Sequence, residues 1–127
     1  MKKMYLLSSD RLTLEQVEDA KKSLLVKDFI YLPDRLQDLW SDIPADILTL
    51  KYYLQPFQLW LDDAEKYSYV LIQGDYGAIY HMVKYCLSKR RLCPVYAVKK
   101  KEVVEVTLPD STIKKEDIFR HYQFRYY

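Results

Sequence analysis

Four short apolar runs, each bounded by a turn signal, limit what this chain can fold into. They are Lys3–Leu7 (KMYLL), Asp28–Leu32 (DFIYL), Tyr67–Gln73 (YSYVLIQ) and Pro94–Val98 (PVYAV). Runs this short and continuous suit strands buried on both faces. Stretches of helical length separate them, so the order β-α-β-α-β-α-β predicts a parallel sheet covered by helices on either side.

The intervening stretches support that reading. Thr13-Leu-Glu-Gln16 is a capping box that opens a helix, with Leu14, Val17, Ala20, Lys21 and Leu24 following at helical spacing. From Asp34 to Ala64 one apolar stripe runs through Leu36, Trp40, Ile43, Ile47, Leu50, Leu54, Phe57 and Leu61, and Pro44 and Pro56 are expected to cut it into pieces. Gly77 to Lys89 predicts a helix with Ile79, Met82, Val83 and Cys86 inward, and His81, Lys84, Ser88 and Arg91 on a polar stripe. The tail changes character. Glu102–Leu108 and Ile118–Tyr126 alternate around Pro109-Asp110-Ser111, which predicts an antiparallel β-hairpin. Strict alternation puts Arg120, Tyr122, Phe124 and Tyr126 on one face, and Phe119, His121, Gln123 and Arg125 on the other. Lys99-Lys100-Lys101 reads as a solvated turn.

A chain of 127 residues makes one domain, spanning 1–127. A formal charge of +2 is too small for a nucleic-acid coat or a polybasic membrane patch, so an anionic ligand must be met by local arrangement. Cys86 and Cys93, seven apart, match neither a zinc spacing nor a disulfide framework and read as buried, reduced thiols. The two histidines are too few for a metal site, and no cofactor is implied. The start, MKKMYLLSSDR, is far short of a signal peptide, and no apolar run reaches membrane-spanning length. A cytoplasmic protein is expected.

The only two glycines, Gly74 and Gly77, bracket Asp75-Tyr76 where the third apolar run gives way to helical spacing. In an open α/β sheet, ligands sit beyond the carboxyl ends of the strands where strand order reverses. Connections of the normal hand make the first and third strands flank that point. Ser8 and Ser9, Gln73 to Ala78, and Lys99 after the fourth strand would then surround one crevice. A helix start near Gly77 offers free N–H groups to a phosphate. Asp75 repels phosphate, and fits an N-cap or an acceptor for a ribose hydroxyl or adenine amine. Gly-x-x-Gly is neither the Rossmann fingerprint nor a P-loop. A tight turn accounts for it as well as a ligand does.

The segments FIYLPDRLQDLWSDIP, LIQGDYGAIYHMV and FRHYQFRYY, with a first strand ending in two serines, resemble a small CRISPR-associated Csx-type family. The likeness spans nearly the whole chain. It implies a single CARF-type, Rossmann-like domain that binds and degrades a cyclic oligoadenylate messenger of type III CRISPR systems, cyclic tetra-adenylate being the simplest ring. It also implies a homodimer whose twofold axis joins two crevices around one ring. Chemistry on this reading needs no metal: a ribose 2′-hydroxyl attacks the neighbouring phosphate, with Ser9 steadying charge and Asp75 or His121 handling the proton. Ser8, Gln73, Gly74, Tyr76, Gly77, Ala78, Lys99 and Arg125 are the implied ligand contacts. Two other readings share the sequence: a module that sequesters the messenger uncut, and a structural adaptor whose glycine turn is only a turn.

Overall fold

The computed structural model describes residues 2–127, apart from the side chains of Lys89 and Arg90. Its elements are β1 (Lys2–Leu7), α1 (Leu14–Ser23), β2 (Val26–Tyr31), α2 (Asp34–Ser41), α3 (Gln55–Asp62), β3 (Tyr69–Ile72), α4 (Tyr76–Tyr85), a π turn (Cys86–Arg90), β4 (Cys93–Thr107) and β5 (Ile113–Tyr126). The sheet runs β2-β1-β3-β4-β5; the first four strands are mutually parallel and β5 returns antiparallel to β4. The predicted α/β class, with a mostly parallel sheet, flanking helices and a C-terminal hairpin, is the observed one.

Alternation along the buried strands builds two cores. Tyr5, Leu7, Val70 and Ile72 face Trp40, Phe57, Leu61, Ala78, Met82 and Cys86 of α2, α3, α4 and the π turn. Met4, Leu6, Tyr69, Leu71 and Val95 face Ala20 of α1 and Val26. One helix thus covers one side of the sheet and three cover the other. The chain runs from β1 outward to β2, then back past β1 to β3, so the strand order reverses between β1 and β3. That places the expected switch point in the sheet.

Four local expectations need correction. The stripe after Asp34 is cut into two short helices as expected, with Pro44 in the irregular stretch between them, but Pro56 stands in the first turn of α3 rather than breaking a helix. A proline has no N–H to lose in a helix's first turn. In α1, Gln16 is buried while Leu14 is 74% exposed, since the reciprocal capping bonds hold Gln16 against the N-terminus. Lys99-Lys100-Lys101 is no turn: β4 runs straight through it, paired with Arg120, His121 and Phe119, and β5 starts at Ile113 rather than Ile118.

The fourth concerns His121. Val98 pairs with Gln123 but Lys99 pairs with His121, so Tyr122 is an extra residue in a β-bulge. A bulge resets alternation. His121 therefore shares a face with Phe124, their rings 4.7 Å apart, and both lie on the α1 side.

Candidate functional site

The ends of β1 and β3 meet the passing strand β4 at the switch point. β1 ends in Ser8, buried, whose Oγ accepts from the backbone N–H of Asp10 at 3.3 Å. The carbonyls of Ser8 and Ser9 both accept from Gln37 Nε2 of α2, at 3.0 and 2.8 Å. This fixes the β1–α1 loop from the opposite side of the sheet.

Gln73 is the hinge of the crevice. Its N–H continues the ladder to Leu7 O at 3.1 Å. Its Oε1 accepts from the Ala97 N–H at 3.0 Å, replacing the backbone acceptor that β3 no longer supplies beyond Ile72. Its carbonyl accepts from the Trp40 indole at 2.9 Å. One residue so ties β1, β4 and α2 together.

The glycine turn follows. Gly74 has φ +153°, a conformation side chains rarely adopt, and a Cβ there would stand 2.8 Å from Trp40 Nε1. Asp75 is the N-cap of α4, with Oδ2 accepting from Ala78 N–H at 3.0 Å. The helix thus begins at Tyr76, one residue earlier than expected. Tyr76 is 91% exposed and Ala78 fully buried. A Cβ on Gly77 would meet only the flexible end of Leu50 at 3.1 Å and Asp75 Oδ2 at 3.3 Å. Packing explains Gly74 without a ligand.

On the α1 side a cavity of about 200 Å³ opens between the strand ends. Ser8 and Gln73, just past the ends of β1 and β3, line it together with Lys99 from within β4. The β1–α1 loop and helix add Asp10, Arg11, Leu12, Thr13 and Gln16, with Leu71 as the floor. Two cations and one carboxylate so border a small polar space. The Arg11 guanidinium lies 4.2 Å over the Tyr31 ring. Arg11 went unnoticed in the sequence, where only its position just after Ser-Ser-Asp pointed to it. Thr13 and Gln16 were recognised as a cap but not as cavity wall.

The sheet divides the other expected residues. Gly74 to Ala78 belong to the α4 side and do not line this cavity. Ser9 is exposed beside it. Arg125 lies on the α4 side as well, its Nη1 donating to the Tyr96 hydroxyl at 3.0 Å. His121 is directly opposite Lys99 in the ladder and so on the cavity's side of the sheet. Its Nε2 lies 2.7 Å from Asp19 Oδ2, its side chain is 5% exposed, and among the described residues its buried Nδ1 has no hydrogen-bond partner. Burial opposes the charge on Asp19, but bonds from Ser23 and His121 together hold its carboxyl below the usual range. Among the described residues no group of three or more His, Cys, Asp or Glu is placed to hold a metal ion. Among the described residues no helix is long and apolar enough to cross a membrane.

A residue outside the expected set closes the other side. The hydroxyl of Tyr127 donates to Ile72 O at 2.6 Å, its ring packs on Tyr96, and burial pushes its pKa up to about 12. Nothing in the pattern of the tail singled it out.

Fold and site together define an α/β protein with a small polar cavity at the switch point of a mixed, mostly parallel sheet. The chain belongs to the "Uncharacterized protein MJ1673" family, whose model matches residues 2–125. It is 44% identical over 130 residues to a Methanocaldococcus jannaschii protein described as "Uncharacterized protein MJ1673", an alignment covering 100% of this chain and 98% of that one. No solved structure matches it.

Proposed function

We propose that this chain is a CARF-type, Rossmann-like ring nuclease that takes a cyclic oligoadenylate, most simply cyclic tetra-adenylate, at the β1–β3 switch point and opens it without a metal ion. The observation that carries the reading is the cavity where Ser8, Gln73 and Lys99 converge with Arg11. Its volume suits one phosphate with part of its ribose rather than a whole ring, so the remaining nucleotides would spread over the crevice and the α4 N-terminus.

The reaction is an internal transfer. The 2′-oxygen of one ribose bonds to the adjacent phosphorus, the bond to the 5′-oxygen breaks, and the 2′-hydroxyl proton passes by way of a base to the leaving 5′-oxygen. A 2′,3′-cyclic phosphate end and a 5′-hydroxyl result. Lys99 and Arg11 would stabilise the charge gathering on the phosphorane, and the Ser9 hydroxyl would donate from the rim. Asp10 is the carboxylate bordering the cavity and replaces Asp75 and His121 as the first candidate base. Holding the ribose and phosphate in line is the larger part of the work.

One observation favours a second reading. Asp75 caps α4 and His121 is bonded to Asp19, so both expected proton carriers already have structural partners. A protein that binds the messenger without cutting it fits those bonds equally well.

A single-turnover incubation with labelled cyclic tetra-adenylate in excess chelator, run beside a native binding gel, separates the readings. Linear products with cyclic phosphate ends are expected. A stable complex returning intact ring favours sequestration. Loss of cleavage in chelator, rescued by added metal, would sink the mechanism, and neither binding nor cleavage of rings of any size would sink both readings.

A further inference from the structure

Beyond Lys99 and His121 the hairpin leaves the body of the protein: β4 pairs with β3 only from Cys93 to Val95, yet continues to Thr107 with β5 alone beside it. A free two-stranded ribbon of this length is marginal in water, and its outer edge is a template for another strand. Val103, Ile113 and Phe119 are each more than 60% exposed on the α1-side face.

The edge itself states what fits it. At the ribbon's tip Leu108 N–H donates to Thr112 O at 2.8 Å. Hydrogen-bonded pairs alternate from there along the antiparallel ladder. Even-numbered residues of β5 therefore point their backbone groups at β4, and Ile113, Lys115, Asp117 and Phe119 point theirs outward. A second copy related by a twofold axis through Glu116 would pair Lys115 with Asp117 and Ile113 with Phe119, each twice. All four side chains lie on one face. Moving the axis to residue 115 opposes two lysines and sets Ile113 against Asp117; moving it to 117 opposes two aspartates. Only the middle register matches charge to charge and apolar to apolar. Its flaws lie on the other face: Glu116 meets its own copy, with Lys114 diagonal to it from both chains, and Lys114 stands opposite Ile118. An edge built only to repel other strands would not carry opposite signs in register.

We propose that two copies of this chain join edge to edge through β5 in this register, closing about eight backbone hydrogen bonds. Five residues separate Lys99 from Val104, the ladder partner of Glu116. The contact so holds the two cavities roughly 35 Å apart along the strands, and each takes its own ligand instead of sharing one. This contact differs from the ring-sharing dimer that the family resemblance implies, and it rests on the proposed function only for its purpose. Its test reads subunit number alone, so a failed contact and a failed ligand assignment are told apart.

Sedimentation equilibrium of the full chain is the measurement, with circular dichroism confirming the fold of each variant. The wild-type chain is expected to dimerise. Lys115→Asp and Asp117→Lys should each raise the dissociation constant tenfold or more, and the double variant, which exchanges the signs, should return to within about threefold of wild type. Asp117 also meets Lys101 of its own chain at 3.2 Å, but that pair is exposed and its loss is small. A wild-type monomer at every concentration overturns the contact, as does a dimer indifferent to the single changes or a double variant that fails to recover.

Discussion

The indole of Trp40 fills the space in which a side chain on Gly74 would begin: a Cβ there would stand 2.8 Å from Nε1, and that same nitrogen donates to the carbonyl of Gln73 at 2.9 Å. Gly74→Ala therefore meets both an unfavourable φ and a displaced tryptophan. We expect it to cost about 2–3 kcal/mol in urea unfolding. Gly77→Ala meets only yielding side-chain atoms and joins a helix, so it should change stability by less than about 1 kcal/mol. Equal costs at the two positions would contradict this account of the turn.

Asp75 offers a way to separate a cap from a catalyst. Asparagine caps a helix as well as aspartate does but carries no charge. Asp75→Asn should keep the stability of α4, whereas Asp75→Ala should lose about 1 kcal/mol. With Asp75 only a cap, the asparagine variant opens cyclic tetra-adenylate at the wild-type rate in single-turnover assays. A fall of a hundredfold or more would return the carboxylate to the reaction.

The cations bordering the cavity should govern affinity. Lys99→Ala and Arg11→Ala are each expected to weaken binding of cyclic tetra-adenylate about tenfold, close to 1.4 kcal/mol, and to flatten its dependence on salt. Arg125→Ala should leave it unchanged, because Arg125 is engaged with Tyr96 on the other face. Titration by fluorescence anisotropy at two salt concentrations checks all three.

Two pH limits follow from groups that the fold holds by hydrogen bonds. Asp19 has its carboxyl lowered from 3.8 in the folded protein, so its contribution is complete above about pH 4 and disappears as pH falls through the lower folded value. Asp19→Asn should flatten acid unfolding in that window. Tyr127 and Tyr69 move the other way, from 10 to about 12, chiefly because burial disfavours the phenolate. Their stabilisation is whole below pH 10 and is lost as pH rises towards 12. Tyr127→Phe should soften that alkaline loss while destabilising the protein at neutral pH, since Ile72 O loses its donor. Chemical denaturation across pH 2 to 12 reads both limits.

Much of the fold was legible because the signals are local. Apolar runs, a capping box and a turn between alternating segments act over a few residues, and each produced the strand, helix start or hairpin expected of it. The bulge at Tyr122 was not legible. An extra residue in a ladder exists only relative to the partner strand, and without it His121 would face away from α1. The straight passage of β4 through three lysines was hidden for the same reason, because cross-strand pairing overrode a composition typical of turns.

The site divides along the same line. The sequence by itself determined that β1 and β3 flank a switch point, and that serines and a glutamine stand just past their ends, since strand order and chain direction follow from pattern and handedness; Lys99, expected after the fourth strand, lies within it. Only the tertiary structure decided which of them meet. The sheet is a wall with two sides, and whether a residue just past a strand end turns to α1 or to α4 depends on what packs there. Gln37 and Trp40, distant in sequence, hold the loops after β1 and β3. Their hydrogen bonds give Ser8, Gln73 and Lys99 one cavity and leave the glycine turn on the far side.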